Sequence, residues 1–381
     1  MTDERPALRG ARRSRNWSQS DAARELAALA QARGGRAGEN GAATPASLKS
    51  LLSRWENGHA VPEPHYRALL TELYGRTAAE LGLPGQAPAE EPGPGGAHRL
   101  RTRLAAAGSV GVEVLDLWRE QLTVARRLDD ELGAAGAGEL VRALVDELDR
   151  TLVHTIERAR RTGVAAVLAE AAALAGWQAL DEGDPEHAWH RFDRARAAAA
   201  EADTRGTEAQ AMAGQAAVLV EIGEPRAAIA LLDQVCAGAS PAAQAWLDAA
   251  RGAARAALGE AQASSRGFDA AERATRSSRD LVEVPGGLVI ELADLHRWRG
   301  HALATLGDPG AVVHLQQALA TGVRSARDRA VLHADLAVAL SWADRAADAA
   351  EHARTARGLA MRVGSARAVA QLHRVPLDGR S

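Results

Sequence analysis

A short turn-forming segment recurs five times in the C-terminal part of this 381-residue sequence. Each copy joins a small residue to an acidic one, and successive copies are 40, 36, 48 and 36 residues apart. The copies are Gly183-Asp184-Pro185, Gly223-Glu224-Pro225, Gly259-Glu260-Ala261, Gly307-Asp308-Pro309 and Ala343-Asp344-Arg345. A glycine ends a helix readily and an acidic side chain can cap the next one, so each copy predicts a turn between two helices. Repetition at this period restricts the chain to an array of helical hairpins.

The residues around these turns support the same interpretation. A small residue stands seven positions before each of the first four turns, at Gly176, Ala216, Gly252 and Gly300. After each of these turns comes a small residue, then a large apolar one, then a small or branched one. These sets are Ala188, Phe192, Ala195; Ala228, Leu232, Val235; Ser264, Phe268, Ala271; and Ala311, Leu315, Ala318. Small residues let two backbones approach closely, so these positions predict contact between the helices of each hairpin.

This pattern resembles the tetratricopeptide repeat, a helical hairpin of about 34 residues that stacks into a superhelix with a concave inner surface. The sequence contains four such units, a poorer fifth unit over residues 324–363 and a C-terminal segment, residues 365–374, that caps the stack. A generic α-solenoid or helical bundle remains the alternative. Because Phe, Tyr and Ile are scarce beside Ala, Leu, Arg and Glu, the predicted fold class is all-α throughout.

The segment from Thr44 to Gly58 predicts a short amphipathic helix. Thr44 can cap its free amide groups, Pro45 suits the first helical position, and Gly58 suits a left-handed end. One face is apolar, with Leu48, Leu51, Leu52 and Trp55 at spacings of three and four. The other face carries Lys49, Ser50, Ser53 and Arg54. A short helix with a small polar and cationic face fits the major groove of DNA.

The residues around this segment predict a small helical domain over residues 1–83. A first helix is expected over residues 7–15, and a second begins at the capping sequence Ser18-Gln19-Ser20-Asp21. A glycine-rich connection over residues 32–43 follows, and residues 65–74 and 77–83 supply one or two further helices. Residues 1–86 carry 12 Lys and Arg against 9 Asp and Glu, so the basic part of a chain with net charge -3 is its N-terminal part.

The stretches LRGARRSRNWSQSDAA, KSLLSRWENGHAVP and YRALLTELYG resemble the Cro and phage-repressor type of helix-turn-helix, the Xre family. The resemblance implies that six residues bind DNA: Gln19, Ser47, Lys49, Ser50, Ser53 and Arg54. It assigns structural roles to Arg9, Trp55, Glu56 and Gly58, with Glu56 paired to Arg9 or Arg12. The connection before the third helix is longer than in that family and the helix starts a turn early, which leaves the register of base contacts open.

Between the two predicted domains lie a linker and a helical hairpin. Residues 84–111 are assigned to the linker because proline and glycine punctuate residues 83–98. Residues 112–162 form the hairpin, with a break at Gly133–Gly136, and residues 163–381 form the repeat domain. The acidic tract Asp129-Asp130-Glu131 is interpreted as a solvated helix face, since consecutive residues on a helix cannot converge on one metal ion.

The sequence contains no pattern typical of an enzyme or a cofactor site. It lacks a phosphate-binding loop and a nucleophile elbow, and His187 and His190 have no third ligand at metal-binding spacing. Cys236 is the only cysteine, which excludes an intramolecular disulfide and favours a reducing cytoplasm. We therefore expect a cytoplasmic protein with no membrane segment, no metal, no cofactor and no catalytic residues.

These observations together predict a DNA-binding transcriptional regulator. Its partner would be double-stranded DNA, and its repeats would sense a peptide, a small molecule or a protein of unknown identity. A homodimer is expected, because one helix-turn-helix reaches only one half-site. Trp189 and Trp298, each beside Arg or His, are the candidate residues of a partner groove. The alternative is a repeat-based protein-interaction adaptor without specific DNA binding.

Overall fold

The computed structural model describes residues 7–32, 45–57, 60, 62, 64–78, 80–83, 95–234, 240–279 and 290–375. Thr44, Gly58, Val235 and Cys236 lie outside these residues, and so do the glycine-rich connection and the first part of the predicted linker. The described residues form seventeen α-helices and no strand, which confirms the all-α fold class. The chain divides into two compact units, residues 1–98 and 99–381.

Four helices build the first unit. They are α1 (Ala7–Ser14), α2 (Gln19–Ala32), α3 (Pro45–Glu56) and α4 (Pro64–Tyr74). Helix α3 packs on α2 and also contacts α1. Of the one or two helices expected over residues 65–74 and 77–83, one forms, as α4. The described residues of the second segment make turns, closed by Leu81 N–H donating to Thr77 O and Leu83 N–H to Ala78 O. The segment is too short to propagate a helix before Gly82 takes a φ of 65°.

The prediction that residues 84–111 form a linker is wrong for half of these residues. Helix α5 (Gly95–Gly108) occupies residues 95–108 and crosses the division between the two units. Proline and glycine are confined to the beginning of the segment, and the stretch RLRTRLAAA after His98 has high helix propensity. Only the residues before Gly95 have the composition of a linker.

Twelve further helices build the second unit, and most of them form hairpins. They are α6 (Val112–His154), α7 (Arg158–Asp181), α8 (Pro185–Ala202), α9 (Arg205–Glu221), α10 (Pro225–Leu232), α11 (Pro241–Ala257), α12 (Ala261–Arg279), α13 (Leu292–Leu306), α14 (Ala311–Thr321), α15 (Ala326–Trp342), α16 (Ala346–Val363) and α17 (Ala366–Leu372). The first helices of successive hairpins, α7, α9, α11, α13 and α15, pack side by side. The unit is an α-solenoid of five hairpins, preceded by α6 and ended by α17.

Helix α6 is divided at the predicted break. Gly133 has φ 64° and ψ −162°, which are not helical values, and the chain makes two helical arms on either side of it. The second arm ends at His154, so the first repeat helix begins at Arg158, five residues earlier than the predicted repeat domain.

The turns between paired helices have the expected glycine conformation. Gly183, Gly223, Gly259 and Gly307 have φ values of 81°, 84°, 77° and 71°, in the left-handed region that side chains disfavour. The fifth turn uses Asp344, with φ 57°. Asp184 caps α8 through a hydrogen bond from the His187 amide, as the acidic residue of the turn predicts. The prediction is wrong at other turns: the Glu224 side chain makes no capping bond to α10, and the N-cap residues of α14 and α16 are Gly310 and Arg345.

The small residues before the turns lie where paired helices cross. A Cβ added to Gly176 would lie 2.7 Å from Phe192 Cδ1, and one added to Gly252 would lie 2.8 Å from Phe268 Cδ2. Ala216 is buried as well, and Gly300 faces Leu315 in the same manner. The predicted close contact within the hairpins is therefore confirmed, and it explains why the phenylalanines need glycine opposite them.

The array closes on its own beginning. Both helices of the last hairpin contact α6, and α17 contacts α7. Arg327 Nη2 lies 3.1 Å from Asp129 Oδ2, and Ser365 Oγ donates to Asp181 Oδ1 at 2.7 Å. Gly133 packs so tightly on Val363 that a Cβ there would lie 2.7 Å from Val363 Cβ. The last hairpin and α17 thus pack against the helices at the beginning of the second unit.

One described helix, α7, is long and apolar enough to cross a membrane by length and composition alone. In the second unit, however, 72% of its most apolar 18-residue window is buried. Its apolar residues, such as Val164, Leu168 and Ala172, belong to the core that it forms with α6 and α8. Helix α7 is therefore a core helix of the second unit.

Candidate nucleic-acid interface and interior of the repeat array

The apolar face of α3 holds this helix in the core of the first unit. Leu48, Leu52 and Trp55 are buried in one cluster with Leu26 of α2. The Trp55 ring packs against that of Tyr66, with a centroid distance of 5.3 Å. The spacing of three and four residues along the sequence therefore decides which face of α3 turns inward.

Glu56, the last residue of α3, is fixed by a buried ion pair to α1. Arg12 donates through Nε to Glu56 Oε1 at 2.6 Å and through Nη2 to Oε2 at 2.9 Å. Burial raises the pKa of Glu56, but hydrogen bonds from Arg12 and Gln19 outweigh this effect and lower it overall. The remaining Arg12 nitrogen, Nη1, donates to the Trp17 carbonyl at 2.7 Å. The expected pairing of Glu56 with an arginine of the first helix is present, and Arg12 makes it.

Two further residues meet Glu56. Gln19, one of the six residues that the resemblance assigns to DNA binding, is half-buried, and its Nε2 donates to Glu56 Oε2 at 2.9 Å. A buried carboxylate has several acceptor sites, and Arg12 leaves one of them open to Gln19. Arg9 lies farther away, with Nε 3.8 Å from Oε2, and it also donates to Asn57 Oδ1. Glu56 thereby connects α1, the start of α2 and the end of α3.

The opposite face of α3 is open to solvent. Ser47, Lys49, Ser50 and Arg54 are exposed, while Ser53 is half-buried. The Ser53 carbonyl accepts from the Asn57 side chain at 2.8 Å, which extends the ordered backbone past the last helical turn. The structure thus gathers five of the six predicted DNA contacts on one outward surface, and it places Gln19 at the edge of the Glu56 cluster. Gly58 lies outside the described residues.

The interior of the second unit contains three tryptophans in contact. Trp298 meets Trp177 at a centroid distance of 6.0 Å and Trp246 at 5.8 Å, both edge to face. Trp298 is half-buried between them. Trp189 is half-buried elsewhere on the array, in a cluster that includes Trp177. The two predicted groove residues, Trp189 and Trp298, therefore lie on different parts of the array. Trp177 contacts Trp298 and also packs against the cluster that includes Trp189.

A polar centre at the closure of the array was not predicted. Asp129, which the sequence suggested to be solvated, is buried; Gln178 Nε2 donates to its Oδ1 at 2.8 Å and Arg327 pairs with its Oδ2. Asp181 is 4% exposed, and its Oδ2 has no hydrogen-bond partner among the described residues. The correction follows from the closure, because the last hairpin covers a helix face that would otherwise meet water.

The ionisation of this centre depends on burial. Burial raises the pKa of Asp181 to about 6, and Arg327 and the Ser365 hydroxyl counteract it only in part. Burial likewise raises the pKa of Asp294 to about 6, against the charge of Arg297. One sequence signal could have indicated the site: Asp181 follows residues 164–180, a run in which Glu170 is the only charged residue.

The histidines considered for a metal site are not gathered. His187 and His190 are exposed on α8, and His187 Nε2 lies 3.2 Å from Arg191 Nε. Within the described ranges, no group of three or more His, Cys, Asp or Glu residues is arranged to hold a metal ion. The described part of the chain therefore offers a polar helix surface and an enclosed ionic centre as its candidate sites.

Comparison with protein-family models, with curated proteins and with solved structures gave no match to this chain.

Proposed function

We propose that this protein is a cytoplasmic transcriptional regulator that binds double-stranded DNA through α3. The proposal is supported by the two-sided character of that helix. Its apolar side is anchored in the core, its last residue is held by Arg12, and its outer side exposes Lys49, Ser50 and Arg54. A helix fixed in this manner can enter a major groove without losing its own packing.

The charges on this surface suit a phosphate-lined groove. Lys49 and Arg54 are exposed cations on α3. The carboxylate nearest the end of the helix, Glu56, is already neutralised by Arg12. Lysine and arginine can neutralise phosphates or donate to guanine, and serine hydroxyls can bond to either phosphate or base.

The repeat array is proposed to be the sensing part of the regulator. Its closure depends on a few polar contacts between its two ends, among them Arg327 with Asp129 and Ser365 with Asp181. An effector that binds one closure state more tightly than the other would shift the array between them. The effector class, whether peptide, small molecule or protein, is left open, and we propose that the regulator acts as a homodimer on paired half-sites.

The test begins with selection of bound sequences from a random duplex library, using the full chain. Affinity for the selected duplex is then measured by fluorescence anisotropy over a range of salt concentrations. The variant Lys49→Ala with Arg54→Ala should bind at least about 10-fold more weakly, with a smaller salt slope, because each lost phosphate contact reduces the slope by about 0.9. The matched control is Arg354→Ala with Arg357→Ala, which removes the same charge from exposed positions on α16.

Two results would contradict the proposal. If no sequence is enriched and the chain shows no retention on duplex DNA, the adaptor alternative is favoured, because a protein-binding array needs no phosphate contacts. If DNA is bound but both double variants weaken it equally, the binding depends on total charge and α3 is not the reading element.

A further inference from the structure

Two pairs of histidines occupy equivalent positions in the last two hairpins. His296 on α13 faces His314 on α14, with their Nδ1 atoms 3.2 Å apart. His333 on α15 faces His352 on α16, with their Nδ1 atoms 2.8 Å apart. The first histidine of each pair stands 11 residues before the left-handed residue of its turn, Gly307 or Asp344. Each pair therefore bridges the two helices of its own hairpin.

The rings meet edge to edge through their Nδ1 atoms. Centroid distances are 5.5 Å for the first pair and 5.0 Å for the second, with interplanar angles of 29° and 32°. These values place each pair of facing nitrogens close to the line between the ring centres. A neutral imidazole carries a hydrogen on only one nitrogen, so one Nδ1–H can donate to the other Nδ1. Two protonated rings would instead direct two N–H groups and two positive charges at each other.

The charged groups around the first pair belong to α12 and α13. Burial lowers the pKa of both His296 and His314, and the nearby arginines lower it further, while the acidic residues oppose this. These neighbours are Glu272, Asp269, Arg276 and Arg299. Asp269 is paired with Arg299 and Glu272 with Arg276. Each carboxylate therefore already has an arginine partner and stabilises a charged histidine only weakly.

The second pair is surrounded by groups of α15 and α16. Burial, then the charges of His352 and Arg329, lower the pKa of His333 to about 4. The pKa of His352 is lowered by burial in spite of Glu351 and Asp348, and Arg345 contributes to the decrease. Asp348 is itself paired with Arg345. In both pairs, burial lowers the pKa of the two histidines, and the short distance between the rings disfavours a charge on both of them at once.

We propose that each histidine pair shares one proton and thereby makes the last two hairpins an acid-sensitive joint. At neutral pH the shared Nδ1–H···Nδ1 hydrogen bond holds the two helices of each hairpin together. A pair can take up one proton on the other nitrogen of the donor ring and keep this hydrogen bond. A further proton would charge both rings and can enter only if they separate, which loosens the contact between the helices. This inference is independent of the DNA-binding proposal.

Of the two histidine pairs, the second lies in the hairpin that closes the array, because α15 and α16 are the helices of the last two hairpins that contact α6. Arg327 and Val363, which meet Asp129 and Gly133 of α6, are on α15 and α16, the helices that His333 and His352 connect. Loosening of this hairpin would separate it from α6, so acidification is expected to open the array at its seam.

The direct test is an NMR titration of the histidine rings in the full chain, with EDTA present to exclude metal binding. The paired rings should titrate as coupled sites, with one proton per pair taken up first and the second only at clearly lower pH. In the variant His352→Gln, His333 should titrate as a single site at a higher pH than in the native chain, since the repulsion from His352 is removed. The control His373→Gln, at an exposed position, should leave all four paired rings unchanged.

A second measurement follows the joint itself. The urea midpoint of the native chain should fall between pH 7.5 and pH 5, and the variant His314→Gln with His352→Gln should lose clearly less over the same interval. Independent titration of the four rings with ordinary midpoints would overturn the proposal. So would an equal acid-induced loss in the native chain and the double variant. If the double variant does not fold, the ring titration of the native chain alone decides.

Discussion

Arg12 and Glu56 lie 44 residues apart in the sequence and form a doubly hydrogen-bonded ion pair in the core of the first unit. The Glu56 side chain has no exposed surface, and that of Arg12 is 10% exposed. Two buried charges are tolerated only when they satisfy each other, so this pair fixes α1 against the end of α3 in one geometry. The orientation of the exposed face of α3 therefore depends on a contact buried on the other side of the helix.

Glu56→Gln should destabilise the first unit by roughly 2–4 kcal/mol, because it leaves the Arg12 charge buried without a counter-ion. Hydrogen exchange of the α1 and α3 amides in the full chain measures this effect. The control Glu25→Gln changes an exposed carboxylate on α2 and should have little effect. Equal protection of α1 and α3 in both variants would show that the pair does not hold the helices together.

The same pair predicts a pH dependence of the first unit. The pKa of Glu56 is lower in the folded than in the unfolded state, so its stabilising contribution is complete above the unfolded pKa. That contribution is lost as the pH falls through the folded pKa. Protection of α1 and α3 in the native chain should therefore decrease in acid, and Glu56→Gln should remove this part of the decrease.

Asp181→Asn should stabilise the second unit near neutral pH. Burial raises the folded pKa of Asp181 to about 6, so the ionised group costs up to roughly 3 kcal/mol above that pH. Asparagine can keep the hydrogen bond from Ser365 and carries no charge. Between pH 6 and the unfolded pKa the folded native protein binds more protons, so the advantage of the variant should shrink and vanish below about pH 4.

Urea unfolding followed by tryptophan fluorescence can measure this difference, since six of the eight tryptophans belong to the second unit. Asp146→Asn, at an exposed position on α6, is the control and should not stabilise. A constant difference between Asp181→Asn and the native chain at pH 7.5 and pH 4 would contradict the assigned ionisation.

Gly176→Ala and Gly358→Ala should change stability in opposite directions. The added methyl group at Gly176 would meet the buried Phe192 ring, which Gly214 also contacts and which cannot retreat, so a loss of roughly 1–3 kcal/mol is expected. Gly358 lies on the exposed surface of α16, and no atom lies within 4 Å of the position that a Cβ would occupy. Alanine there should raise the free energy of unfolding by about 0.5–1 kcal/mol, because alanine has a higher helix propensity than glycine. Urea midpoints of the two variants compare them directly, and destabilisation by both would refute the role given to Gly358.

Asp344→Gly should stabilise the last hairpin by about 0.5–1 kcal/mol. Asp344 has φ 57° at the position where four earlier turns have glycine, and a left-handed conformation is disfavoured for residues with a Cβ. Hydrogen exchange at the start of α16 should slow in the variant. Asp203, also left-handed with φ 54°, provides an independent comparison through Asp203→Gly.

The hairpins could be predicted from the sequence because their signals are local. The turn glycines, the Asp184 cap and the small residues opposite Phe192 and Phe268 all act within one hairpin. The apolar face of α3 was readable for the same reason. Helix α5 was missed because the proline-rich beginning of its segment was extended over a helix-forming stretch.

The closure of the array could not be predicted, because it joins residues far apart in the chain. Asp129 meets Arg327 and Asp181 meets Ser365 across 198 and 184 positions. The spacing of apolar residues along the sequence predicts local helices and does not predict contacts between such distant residues. The consecutive acidic residues at Asp129 were therefore interpreted as a solvent-exposed helix face. The bond from Gln19 to Glu56 was missed for a similar reason, since the sequence places each on a different helix.

An array whose last hairpin rests on its first helices has a fixed number of units. Open solenoids can lengthen by duplication, since a new unit needs to match only its neighbours. Here an inserted or deleted hairpin would carry Val363 away from Gly133 and leave the Asp129 charge without Arg327. Growth of this domain is therefore restricted to its surface loops, and its repeats can diverge in sequence only within a constant count.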